Sequence, residues 1–589
     1  MIGVVPALNG HEGVHDRGFT FVGAKGPGED LFVSFHDLRL LAQRRAAHYL
    51  AFGLKRGDRV ALIIPEGEHF IPAFLGALWA GLIPVPLYPP VSLGKLDAFM
   101  DALVTILNVA KPRVLVTSER VGKVLWSAVG RIPSIEKVLT AEEVAREPAG
   151  PLPPAADVKD GEIAFLQFTS GSTALPKGVM VTHGSLAANC SAIIKEGLQP
   201  DLEKGDDLAV SWLPLYHDMG LIGFVMAPIC FRISTVFIPT LSFIKNATLW
   251  METLHKHKGT LSFAPNFAYA LVTKRAKPEQ IARWDLSRVR VLGCGAEPIN
   301  AETLRAFVQA MGPAGLKPEA MLPCYGMAEA TLAMSFVPLH EPVRTDRIDP
   351  DRYHAEHKAT PVANGGPALH VVNCGRTFAR HELTAQDEQG NILPDRQVGE
   401  LCFRGPSVTA GYWENPEATK AAFRDGWLRT GDLGYVVGGE VYVSGRIKDI
   451  LIVNGRNYYP QGIEWVVDEI PGVRRGSSVV FTRPGKASEE MVVATESRTS
   501  DPDALKAQIV SRVSEEFQLA VADVAVVPPG TLPKTSSGKL QRRKTREQYL
   551  AGTIGRGGRG GSTRLAMARH AVTSLVGRAR HEMRRLLGG

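Results

Sequence analysis

Nowhere in the 589 residues do two of the six cysteines form a Cys-x-x-Cys pair, and no histidine cluster accompanies them. This excludes the common cysteine-based zinc sites. Cys190, Cys230, Cys294, Cys324, Cys374 and Cys402 each neighbour small or apolar residues, so buried free thiols are expected. His354 and His357 have ligand-like spacing but no second pair, and are expected to be solvated loop residues. Long apolar runs are missing too. The longest starts near Phe70 and ends by Pro84, interrupted by Pro72, Gly76 and Gly81. A bilayer span needs about 20 apolar residues, so this run predicts a buried helix packed on a sheet. The first residues lack a basic start followed by an apolar core, and a cytoplasmic enzyme is the expectation.

Charge of one sign is scarce over most of the chain. The formal total is +7, and residues 551–589 hold eight arginines against the single acid Glu582, which accounts for all of it. A formally neutral body excludes a broad phosphate-tracking surface, so no nucleic acid partner is expected. The tail itself combines a Gly-rich linker with a basic, roughly amphipathic stretch over 563–587. It leaves three readings open: a solvated extension, peripheral contact with an anionic membrane, or steering of an acidic partner.

What is present is a globular balance, 45% hydrophobic and 22% charged residues, in a chain too long for one core. Helical patterns at 35–52 and 70–81 alternate with strand-like runs at 59–64, 113–117, 208–212, 235–239, 260–263 and 289–293. Such alternation predicts parallel sheets covered by helices. A β-rich stretch at 368–404 carries turn signals at Gln389-Gly390 and Pro394-Asp395. The texture changes after Gly445: a strand at 450–453, a helix at 503–517 and a strand at 521–527 predict a small α/β unit. The expected class is therefore α/β. A large N-terminal domain (1–445) joins parallel-rich sheets to a β-rich subdomain, followed by a small C-terminal domain (446–550) and the tail (551–589).

The strongest chemical signal is Thr169-Ser170-Gly171-Ser172-Thr173-Ala-Leu-Pro-Lys177-Gly178, directly after a strand-like run. Hydroxyls and glycines let the backbone turn tightly and aim N–H groups at phosphate oxygens, and the lysine adds a point charge. It is not a Walker A loop, because Lys177 precedes Gly178 rather than Ser or Thr.

This loop resembles the phosphate-binding loop of the adenylate-forming superfamily of acyl-CoA synthetases, adenylation domains, luciferase and fatty acyl-AMP ligases. Ala174 stands where that family usually carries glycine. Further similar motifs follow in order: Tyr325-Gly326-Met327-Ala328-Glu329, Gly399-Glu-Leu-Cys-Phe-Arg-Gly405, Gly411-Tyr-Trp413, Thr430-Gly-Asp432, Gly445-Arg446-Ile-Lys448-Asp449 and Leu532-Pro-Lys-Thr-Ser-Ser-Gly-Lys539. The resemblance spans about residues 15–548. Trp212-Leu-Pro-Leu-Tyr-His217-Asp218, the Ala328 variant, Gly455-Arg-Asn-Tyr-Tyr-Pro460 and a polar insertion at 341–366 look most like the fatty acyl-AMP ligase branch.

The resemblance implies ATP as substrate and Mg²⁺ as cofactor. A fatty acid would be activated to its adenylate with loss of pyrophosphate, then passed to the phosphopantetheine thiol of an acyl carrier protein. Residues 169–173 and Lys177 would grip the β- and γ-phosphates, and Glu329 would face the metal. Asp432 and Arg446 would hold the ribose; Gly295, Ala296, Glu297, Tyr325, Gly326 and Met327 would line the adenine pocket. Lys539 would act in the chemical step, His217 would orient the carboxylate with Asp218 behind it, and Lys448 would be the hinge of a mobile small domain. An apolar acyl pocket is expected nearby, lined in part by Met219, Ile222, Phe224 and Met226, residues that fit an ordinary core equally well. A fatty acyl-CoA synthetase and a catalytically inactive acyl-adenylate-binding protein are the alternatives.

Overall fold

The computed structural model describes residues 2–90, 96–169, 176–362, 368–453, 456–458, 460–485, 489–517, 519–535 and 538–555. The expected tail helix, the Ala174 position and residues 363–366 of the insertion lie outside them.

A nine-stranded sheet organises the larger part. Its middle is parallel: Gly18–Gly26, Ser234–Phe237, Leu208–Ser211, Leu261–Ala264, Val291–Cys294 and Met321–Gly326 run side by side. Antiparallel strands close both margins. A second, wholly parallel sheet joins Ile83–Pro86, Arg59–Ile63, Val114–Thr117 and Lys137–Thr140. Both central sheets are apolar on their strands, as two-sided burial demands.

The interrupted apolar run forms the helix Gly67–Trp79, buried at every position from Phe70 onward, and then the strand Ile83–Pro86. A helix apolar all round has to be enclosed. It lies against the helix Phe35–Ala51, whose start is capped by the Ser34 hydroxyl accepting from the Asp37 N–H at 3.0 Å. Gly76 permits that approach, since a Cβ there would stand 2.3 Å from the Arg45 Cβ.

The β-rich portion combines Glu382–Gln386, Gly399–Arg404, Trp427–Val437, Phe423–Arg424 and Glu440–Arg446. Residues 341–362 lie on its flank. Thr345–Ile348 pairs with Leu369–Val372, and the helix Pro350–Glu356 starts at Asp349, whose Oδ1 accepts from the Asp351 and Arg352 N–H groups. Although polar overall, this segment buries Ile348, Tyr353 and Ala359 against Tyr435 and Tyr442. His354 is therefore not a solvated loop residue: it is half-buried on that helix, its ring 5.1 Å from that of Tyr458. His357, exposed just past the helix, matches expectation.

Beyond Leu451, the strands Val473–Pro484, Glu489–Ser497 and Val521–Val527 form a three-stranded sheet. One face packs on the helices Pro460–Glu469 and Pro502–Phe517 through Ile463, Val467, Leu505, Ile509 and Val513. The other packs on the helix Arg542–Leu550 and its surroundings through Leu532 and Tyr549. All six cysteines are free, five of them buried. Among the described residues no helix is long and apolar enough to cross a membrane.

Candidate active site

Ligands of open α/β sheets sit outside the carboxyl ends of the parallel strands, and the chemistry-bearing segments leave there. Leu208–Ser211 runs into Trp212–His217, Leu261–Ala264 into Phe267, Val291–Cys294 into Gly295–Glu297, and Met321–Gly326 into Met327–Glu329. All of them border one large cavity, of about 3500 Å³, that also reaches Lys539.

The loops are held close by missing side chains and by cross-links. A Cβ on Gly295 would lie 2.7 Å from the Cys324 Sγ, and one on Gly326 would lie 2.0 Å from the Leu332 carbonyl oxygen. The Phe267 N–H donates to Glu297 Oε1 at 3.0 Å. Burial raises the Glu297 carboxyl above its usual range. Ala296 holds φ at +69° and Thr331 at +69°, strained values for side-chain-bearing residues. Both flank positions assigned to nucleotide and metal, and neither strain is visible in the sequence.

Asp432 and Arg446 meet through a register shift. The hairpin turns at Gly438-Gly439, both at positive φ, and pairs Val437 with Glu440 and Gly434 with Val443. One extra residue, Ser444, then bulges out, so that Asp432 stands opposite Arg446 rather than Gly445. Arg446 Nε donates to Asp432 Oδ1 at 2.8 Å and the Tyr325 hydroxyl to Oδ2 at 2.7 Å. Both oxygens keep a lone pair for further donors.

Thr169 and Lys177 face each other at the loop end of the hairpin Ile163–Thr169/Lys177–Thr182. Ser170, Gly171, Ser172 and Thr173 lie outside the described residues. The Gly411-Tyr412-Trp413 segment runs along the second strand, with the Met180 N–H donating to the Gly411 carbonyl and the Trp413 N–H to Gly178. That places the Tyr412 ring under the Lys177 ammonium, 4.7 Å from the ring centroid, while its hydroxyl donates to Glu329 Oε1 at 2.7 Å. Tyr412 is the site residue that motif reading overlooked, although its motif was legible.

His217 Nδ1 lies 2.5 Å from Asp218 Oδ1, which also accepts from the Met219 N–H at 2.7 Å. So short a contact lets the Asp218 carboxylate fix the orientation of the ring, and the Met219 N–H also points at Nδ1, at 3.4 Å. Burial works to raise the Asp218 carboxyl, but the neighbouring His217 and Lys539 hold it below the usual range. Lys539 closes a small turn: its N–H donates to the Thr535 hydroxyl at 3.0 Å and its carbonyl accepts from the Thr535 N–H at 2.7 Å. Burial lowers its ammonium below the ordinary lysine range, against the pull of Asp218 and Glu297. Lys448 is exposed on the short 3₁₀ turn Ile447–Asp449, at the cavity rim.

The four residues offered for the acyl side divide between cavity wall and core. Met219 and Phe224 line the cavity; Ile222 and Met226 do not, being fully buried in the core behind it. The helix turns there are π-type at Ile222–Met226, which shifts the phase of the lining face away from ordinary 3.6-residue spacing.

The AMP-binding enzyme family matches residues 16–413. This chain belongs to that family. The AMP domain of the Disco-interacting protein 2-like family matches residues 448–556 of this AMP-binding enzyme. It is 37% identical to a putative acyl-CoA synthetase of Caulobacter vibrioides, over 89% of this chain and 91% of the relative. It is 36% identical to a long-chain-fatty-acid–AMP ligase of Mycobacterium marinum, over 84% and 87%. Among solved structures, one from a study of fatty acyl-adenylate ligases of E. coli and L. pneumophila superposes with a TM-score of 0.86 at 33% identity, covering 94% of this chain and 98% of that one. The α/β architecture expected from the sequence is that of these enzymes.

Proposed function

We propose that this AMP-binding enzyme is a fatty acyl-AMP ligase. The observation supporting it is one continuous cavity that joins Asp432, Arg446 and Lys539 to an apolar arm lined by Phe224, Ile233 and Phe263.

Adenylation brings a carboxylate oxygen against the α-phosphorus of ATP, forms the acyl–phosphate bond and expels pyrophosphate. Two anions meet, so fixed cations must carry the charge. Lys539 enters beside Asp218 and Glu297, where its ammonium reaches both the carboxylate and an α-phosphate oxygen. Lys177, with residues 169–173, holds the leaving pyrophosphate. Asp432 accepts from the ribose hydroxyls through its remaining lone pairs, and Arg446 donates to the same sugar. Gly295, Ala296, Glu297, Tyr325, Gly326 and Met327 wall the adenine. His217, held in place by Asp218, orients the acyl carboxylate.

Among the described residues no group of three His, Cys, Asp or Glu side chains could hold a metal alone. Glu329 fits Mg²⁺, which takes one or two carboxylates and completes its shell with phosphates and water. Its carboxylate is already oriented by Tyr412. The ion would offset charge on the phosphates.

In the second half, a phosphopantetheine thiol of an acyl carrier protein attacks the acyl carbonyl and AMP leaves. Lys448 is the pivot between a domain of residues 1–445 and one of 446–550. The contact between His354 in the insertion and Tyr458 supports restricted rotation. That favours a carrier protein over free CoA, the acceptor that the C. vibrioides relative's name suggests. Unpaired cysteines suit a reducing compartment, and we place the enzyme in the cytoplasm. Mass spectrometry of products from a fatty-acid mixture with ATP, with and without CoA, tests the reading. Acyl-adenylate in both reactions is expected; acyl-CoA as the main product would overturn it.

A further inference from the structure

One aromatic ring belongs to the walls of two cavities. Phe336 borders the main cavity together with Phe263 and Leu198. It also borders a second cavity, of about 800 Å³, together with Gly197 and Phe378. Its ring centroid lies 5.7 Å from that of Phe263 on the first side and 5.3 Å from that of Phe378 on the second. The backbone at Gly197 presses on its edge, so closely that a Cβ there would come within 2.6 Å of the Phe336 Cδ2. The ring is thus clamped between two aromatic neighbours and a glycine that allows no side chain.

The second cavity differs in chemistry from the arm it adjoins. Arg290 crosses its wall, donating from Nε and Nη2 to the two oxygens of Asp207 at 2.8 and 2.7 Å and from Nη1 to the Leu198 carbonyl at 2.6 Å. Arg288, Arg376 and His340 also line it. An alkyl terminus pushed into such surroundings would desolvate charged groups without replacing their partners.

We propose that Phe336 is the end wall of the acyl site and sets the longest straight-chain acid the enzyme activates. The proposal rests on the reading of the cavity as an acyl-adenylate site and deepens it: the substrate class is a fatty acid whose apolar end stops at this ring. Its position decides which chains fill the arm without being bent or forced into the charged chamber. Each methylene that gains or loses a place in an apolar site changes affinity about fourfold, so a wall displaced by one ring changes the length profile steeply.

The test measures pyrophosphate release for the full chain on saturated acids of graded length, from eight carbons to twenty-four. The set comprises the unmodified protein, Phe336→Ala, Phe336→Leu and Phe336→Trp. The expected result is an optimum moved to longer acids by the alanine and leucine variants and to shorter acids by the tryptophan variant. The ratio of kcat/KM for a long to a short acid should change at least tenfold, through KM for the acid and not for ATP. The leucine variant keeps the wall apolar and serves if the alanine variant does not fold. An unchanged length profile, or an equal loss at every length, overturns the assignment of Phe336. If the unmodified protein forms no adenylate from any of these acids, it is the reading of the site that falls.

Discussion

The Tyr412 hydroxyl donates a 2.7 Å hydrogen bond to Glu329 Oε1, from a ring whose face carries the Lys177 ammonium. One side chain thereby links the two groups assigned to pyrophosphate and metal. Tyr412→Phe keeps the ring and removes only the donor. A hydrogen bond to a charged group contributes about 1.5–3 kcal/mol, so adenylation should fall ~10- to 100-fold. The loss should appear as a higher Mg²⁺ concentration at half-maximal rate. An unaltered magnesium titration would separate Tyr412 from the metal site.

Lys539→Ala should retain the fold, since its turn is held by backbone groups and the Thr535 hydroxyl. The adenylation rate should drop by about 10²-fold or more, the scale for losing one oriented donor in the transition state. Transfer to the carrier protein from pre-made acyl-adenylate should survive. Single-turnover assays of the two halves check this, and a normal first half would remove Lys539 from the mechanism.

The insertion should restrict the acceptor through its contact with Tyr458. Deleting residues 341–366 outright would uncover Tyr435 and Tyr442, which Ile348 and Tyr353 help to bury. The double variant His354→Ala/Tyr458→Ala loosens the contact and leaves that cluster in place. Acyl-CoA formation should rise several-fold with acyl-AMP formation nearly unchanged. Vigorous CoA ligation by the unmodified protein would remove the premise.

Two buried histidines predict how stability depends on pH. Burial, reinforced by Arg232, pushes His11 down to about 4, and burial pushes His183 down to about 4. Both are neutral when folded, while in the unfolded chain they bind protons near 6.5. Their contribution is therefore complete above about pH 6.5 and is lost as pH falls towards 4. The loss is up to ~3 kcal/mol each. Urea midpoints measured from pH 7.5 to 4.5 should decline, and His11→Gln should make the decline shallower. Equal slopes for both proteins would exclude His11 as a source.

Local order was legible wherever one segment carries its own pattern. The strand Val521–Val527 has its expected bounds, and the helix Pro502–Phe517 differs by one residue, because apolar periodicity and turn residues act within a few positions. The ordered motifs likewise carried the family. Facing of side chains was not legible, because it depends on phase and register. Ile222 and Met226 lie off the cavity wall, where a π-turn changes the phase of their helix.

By itself the sequence determined the alternation of strands and helices, the neutral body with its basic tail, and the set of groups available to a phosphate and a carboxylate. These follow from residue type and short spacing. Only the tertiary structure decided which of those groups meet. Ser444 bulges from its strand and turns Asp432 towards Arg446. A segment more than two hundred residues beyond Lys177 lies along its strand and brings Tyr412 beneath it. The single ring of Phe336 stands between two cavities of different chemistry. Each outcome is set by register and packing between distant segments, where a shift of one residue reverses which face a side chain occupies.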